Sequence, residues 1–105
     1  PTGSVGVVRL LFPDPWPKRR HVARRMVDRA FASRVADVLV PAGRLEVATD
    51  WEEYAEHARS MVATEPRLLP THTAARPDRP ITAYEQRGID AGRSITDLVW
   101  TRRTD

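Results

Sequence analysis

Apolar residues repeat with two different periods along this chain. Residues 5–12 (Val-Gly-Val-Val-Arg-Leu-Leu-Phe) form a short, nearly continuous apolar run rich in β-branched residues. That pattern predicts a strand buried on both faces, as in a parallel sheet. Prolines at 13, 15 and 17 follow it. Proline has no N–H for a ladder or helix bond and restricts the residue before it, so an irregular loop must come next. Over about 22–39 the apolar positions Val27, Phe31, Val35 and Val38 recur at helical spacing and predict an amphipathic helix. Val40-Pro41-Ala42-Gly43 breaks it. Residues 44–49 (Arg-Leu-Glu-Val-Ala-Thr) read as a second strand. Asp50 is a good N-cap for a helix over about 51–64, with Glu53 completing a capping-box pair. Residues 65–80, rich in proline and polar side chains, predict a long loop with a short strand near 67–69. A short helix near 81–90 and a strand near 94–102 close the chain.

Strand, helix, strand, helix is the rhythm of an α/β layered sheet. Ligands in such sheets gather at the carboxyl ends of the strands. Asp14 and Asp50 each lie just past such an end, so they are expected to face one crevice. Two or three parallel strands leave an open apolar edge, however, so residues 1–105 look like part of a domain. At 105 residues and 41% hydrophobic the chain supports one unit with a modest core. The start at Pro1 instead of a methionine also fits an excerpted or processed chain. No apolar run approaches a membrane span and no secretory signal pattern is present. The absence of cysteine excludes disulfides and thiolate metal sites and fits the cytoplasm. His21, His57 and His72 have no metal-ligand spacing, so no metal is expected.

Charge changes the picture at one place. Residues 18–25 (Lys-Arg-Arg-His-Val-Ala-Arg-Arg) hold five of the 17 Lys+Arg and no acid; without them, 12 cations face 14 acids, a net of −2. The basic character is therefore a patch, set directly against the proline-stiffened carboxylate Asp14. That pairing points to a polyanion held beside a chemical site. Lys18 is the only lysine, a compact point charge among arginines.

The run Phe12-Pro13-Asp14-Pro15-Trp16-Pro17-Lys18 with its Arg/His segment closely resembles the signature of the tRNA (guanine-N7)-methyltransferases. Agreement extends through Gly43-Arg44-Leu45, Ala48-Thr49-Asp50-Trp51, residues 79–88 (Arg-Pro-Ile-Thr-Ala-Tyr-Glu-Gln-Arg-Gly) and Ile95-Thr96-Asp97-Leu98. The resemblance implies the C-terminal half of a Rossmann-like, S-adenosylmethionine-dependent methyltransferase fold. The N-terminal half, with the glycine-rich loop that holds the cofactor, has no counterpart here, and no Gly-x-Gly element follows a strand. Residue by residue, the resemblance implies that Asp14 sits at the methyl-transfer site beside the cofactor. It makes Lys18, Asp50, Thr82 and Glu85 substrate-binding positions and the stretch 20–25 an RNA-contacting one, with tRNA as partner. Arg20, His21, Arg24 and Arg25 are the candidate RNA contacts, joined by Arg19. Ala23 departs from the family, which usually has a basic residue there.

These residue types suit the chemistry. Guanine N7 carries a lone pair and no proton, so methylation needs positioning more than a base. The product ring is cationic, and a fixed carboxylate stabilises that charge as it develops. Guanine N1–H and N2–H are donors that only acceptors can read, a role open to Asp50 and Glu85. Plainer roles compete: Asp14 as a loop turn, Asp50 and Thr82 as helix caps, Trp16 as packing rather than a base-stacking platform. Trp51 and Trp100 are expected in the core, and Glu52, Glu53 and Glu56 on an exposed helix face. A non-catalytic RNA-binding module is the alternative function, favoured by the missing cofactor loop. A DNA-binding domain fits less well, because the arginines flank a proline loop and line no recognition helix.

Overall fold

Strands and helices alternate much as the hydrophobic periods require. The computed structural model describes residues 2–16, 18–71, 86, 87, 89, 92 and 94–104. In chain order come β1 (Val5–Leu11), a 3-10 turn (Arg19–Arg24), α1 (Arg29–Val38), β2 (Leu39–Thr49), α2 (Glu52–Val62), β3 (Leu68–Pro70) and β4 (Thr96–Arg102). The sheet order is β1-β2-β4-β3. β1 and β2 are parallel, with Leu11 opposite Ala48. β4 runs antiparallel to both β2 and β3. The α/β class holds, and the last strand turns the expected parallel sheet into a mixed one.

Alternation along the strands builds the core. Val8, Leu45 and Trp100 share a register row, as do Leu10, Val47 and Leu98. All six belong to or pack against one cluster with Ala32, Val35 and Ala36 of α1 and Tyr54, Ala58 and Val62 of α2. Both helices therefore cover the same face of the sheet. On the other face Glu46 is buried, its carboxylate accepting from Arg9 Nε at 2.9 Å, with Arg44 Nε at 3.5 Å. β1 is not buried on both faces as its composition predicts: it ends the sheet, and Val7 is 37% exposed.

Three local expectations change. The helix predicted from residue 22 begins at Arg29, because Asp28 is its N-cap and accepts from the Phe31 N–H at 2.7 Å. The break at 40–43 lies inside β2 as a bulge, where the pairing of Val5 with Leu39 shifts to Val7 with Arg44. Gly43 is needed there, since a Cβ would stand 2.8 Å from the Val40 carbonyl oxygen and 3.1 Å from that of Gly6. Asp50 does not cap α2: Trp51 occupies the cap position without a side-chain bond, and Glu53 turns to Arg25 instead. Trp100 is buried as expected, whereas Trp51 is 44% exposed. Of the helix expected near 81–90, Gln86, Arg87 and Ile89 are helical, and the rest lies outside the described residues.

Candidate active site

The loop leaving β1 is tied down at Phe12, Asp14, Pro15 and Trp16. Phe12 donates its N–H to the Ala48 carbonyl at 2.8 Å, tying the loop's first residue to β2. Asp14 is exposed, and its Oδ1 accepts from the Trp16 N–H at 3.0 Å, closing a tight Asx turn. The Pro15 carbonyl accepts from Arg25 Nε at 2.8 Å. Phe12 and Trp16 both adopt left-handed backbone, with φ of 53° and 41°. For bulky aromatic residues that conformation is strained, on the order of 1–3 kcal/mol each, and persists only where surrounding contacts enforce it. The strain brackets Asp14.

Arg25 supplies much of that enforcement. Its residue exposure is 3%. Besides holding Pro15, its guanidinium pairs with Glu53 of α2 and lies 5.4 Å above the Tyr54 ring. Next along the chain, Val27 spends both backbone groups on α2: its N–H donates to the Tyr54 hydroxyl at 3.3 Å, and its carbonyl lies 2.7 Å from His57 Nε2. Segment 25–28 is thus fastened to α2, which explains why no helix runs through it. Burial pushes the Tyr54 phenol above its ordinary value; the Asp14 and Asp28 charges add to this, against the Val27 N–H and Arg25.

Three cations of the segment face outward. Lys18, Arg20 and Arg24 are exposed and His21 is half-buried. Arg24 stands 5.3 Å over the Trp16 ring, and His21 meets that ring edge-on with centroids 5.4 Å apart. Trp16 therefore packs beneath the basic side chains. Of the expected RNA contacts, Arg25 is the exception: its guanidinium points inward and ties loop to helix. The backbone of Arg19 belongs to the 3-10 turn, and its side chain lies outside what is described.

Asp50 follows Thr49 directly, at the end of β2 that lies beside the end of β1, so the two acids occupy the same end of the parallel pair. Thr49 Oγ1 accepts from the Trp51 N–H at 3.1 Å and turns the chain into α2. β4 enters at this end too, with Thr96 opposite Thr49 and the Thr96 hydroxyl 3.4 Å from Glu52. Thr82 and Glu85 lie outside the described residues. No group of His, Asp and Glu among the described residues could hold a metal ion. Among the described residues, the set for a nucleoside cofactor is partial. Asp14 can face a cationic methyl donor, but Gly43 approaches the carbonyls of Val40 and Gly6 within the sheet and lines no strand-to-helix loop.

Comparison with known proteins identifies the family. A family model described as "Putative methyltransferase" matches residues 1–98. A tRNA (guanine-N(7)-)-methyltransferase of Nitrosomonas europaea is 45% identical over 102 residues, which cover 94% of this chain and 46% of the relative. Those of Alkalilimnicola ehrlichii (43% over 107 residues; 98% of this chain, 45% of the relative) and Mycobacterium avium (46% over 108 residues; 95% and 40%) are similar. The chain thus spans somewhat less than half the length of these curated relatives. Matched along nearly its whole length, the chain belongs to the methyltransferase family in which these tRNA (guanine-N(7)-)-methyltransferases stand.

Proposed function

We propose that this chain is the substrate-side, C-terminal half of a tRNA (guanine-N7)-methyltransferase, acting in the cytoplasm and completed by an N-terminal half that holds S-adenosylmethionine. The observation that carries the reading is the strained loop presenting Asp14 at the shared end of β1 and β2, with Lys18, Arg20 and Arg24 exposed beside it. The cofactor supplies an electrophilic methyl group when bound. This chain's residues do the rest. Asp14 is held where positive charge develops on the purine, and a carboxylate already in place needs no reorganisation as that charge grows. Asp50, at the neighbouring strand end, accepts from the guanine N1–H and N2–H edge, a part shared with Glu85; Thr82 completes the substrate contacts. Lys18, Arg20, His21 and Arg24, with Arg19, neutralise tRNA phosphates, so affinity falls as salt rises.

In the complete enzyme, Asp14→Ala is expected to abolish 7-methylguanosine formation in tRNA while changing tRNA affinity by less than about twofold, because an exposed acid is no phosphate contact. Methyl transfer from labelled S-adenosylmethionine and filter binding measure the two. Unchanged turnover would remove Asp14 from the chemistry, and with it this reading.

A further inference from the structure

Arg25 closes the cationic run yet is withdrawn from solvent, with a side-chain exposure of 2%. What it touches gives it a different task from its neighbours. The peptide unit joining Pro15 to Trp16 is gripped at both ends. Its carbonyl accepts from Arg25 Nε at 2.8 Å, and its N–H donates to Asp14 Oδ1 at 3.0 Å. A guanidinium on the carbonyl polarises the peptide and strengthens its N–H as a donor, so the two bonds support one another. The same peptide unit precedes the left-handed Trp16 and resists relaxation only while it is held. Behind it, the pairing with Glu53 and the Tyr54 ring fix the guanidinium to α2.

We infer that Arg25 is the positioning residue of the Asp14 carboxylate, acting through the Pro15–Trp16 peptide, and is not an RNA contact. The inference rests on the proposed methyltransferase reading. With Oδ1 committed to the loop, Oδ2 is the oxygen left for the purine. Lysine cannot replace this arginine, because one ammonium does not reach a carbonyl and a carboxylate in the fixed directions of Nε and Nη2.

The test uses the complete enzyme and the variants Arg25→Lys, Glu53→Gln and, as a phosphate-contact control, Arg24→Gln. Arg25→Lys is expected to lower kcat about 10- to 100-fold, the scale of a small misplacement of a reacting group, with the KM for tRNA and the salt dependence of binding unchanged. Glu53→Gln, altered at an exposed carboxylate, is expected to lower kcat a fewfold, again without touching KM. Arg24→Gln is expected to weaken binding and reduce the salt slope by about one. In an Asp14→Asn background, Arg25→Lys is expected to lose most of its effect, which a general loss of fold would not do. If Arg25→Lys instead weakens tRNA binding, lowers the salt slope and leaves kcat intact, Arg25 is an RNA contact and the inference fails. Full additivity with Asp14→Asn would equally overturn it. A wild-type enzyme that methylates no tRNA would sink the underlying reading, a failure separate from either.

Discussion

Arg25 and Arg67 each fasten a loop to a helix, and they do so by different physics. Arg67 lies after α2, with a third of its side chain exposed, and holds both oxygens of Glu65 at 2.9 Å, Asp37 at 2.7 Å and the Ser33 carbonyl at 3.2 Å. It is surrounded by charge and screened by water. Arg25 is buried against one carbonyl, one aromatic face and a carboxylate that is itself 66% exposed. Its charge is thinly compensated and its geometry closely specified. Both use the planar fork of a guanidinium; the exposed staple works among screened charges, the buried one out of water. Only the second sits against the candidate site.

Turnover should separate the two most sharply. Arg67→Lys in the complete enzyme is expected to leave kcat within about twofold, against the 10- to 100-fold loss expected for Arg25→Lys. Equal losses would mean that both act through stability alone. Next in size is Tyr54→Phe, which keeps the ring beneath Arg25 but strands the buried Val27 N–H, at a cost of about 1–2 kcal/mol in thermal or denaturant unfolding. A neutral result would show that this 3.3 Å bond contributes nothing to anchoring segment 25–28. The smallest effect concerns acid. Hydrogen bonds from Arg67 hold the Glu65 carboxyl down at about 2, below its ordinary 4.5. A depressed carboxyl stabilises the fold above its unfolded value, and that contribution is lost as pH falls from about 4.5 towards 2. Glu65→Gln is therefore expected to flatten the fall in melting temperature across that window. An unchanged profile would show that the Arg67 staple carries no pH-dependent stability.

The two staples also mark where residue order informs and where it does not. Strand and helix periods are properties of neighbouring residues, so β1, β2, α2 and β4 are legible from spacing. The placement of Asp14 and Asp50 at one end of the sheet follows, because parallel strands share a carboxyl end. Nothing in the order distinguishes Arg25 from Arg24. One turns in and the other out because Pro15, Glu53 and Tyr54 meet only in the fold. Asp28 could have been seen as a cap, being an aspartate three residues before Phe31, but an apolar period extended back to Val27 hid it. Val27 is apolar because the core buries it, while its backbone is bonded to α2 side chains. Strand direction is silent as well: whether β4 runs with or against β2 depends on a long connection, not on the strand's own residues. Trp51 shows the limit of reading aromatics as interior, since it sits at a helix cap facing water.

β1 ends the sheet with β2 as its single neighbour among the described strands, and its seven residues carry one charge, Arg9, already drawn to Glu46. Among the described strands none pairs with its outer side, and a border of that kind is where the same strand of another copy can add. Light scattering of concentrated solutions of these 105 residues is expected to rise through that border. A lysine at Val7 is a better remedy than a change of buffer.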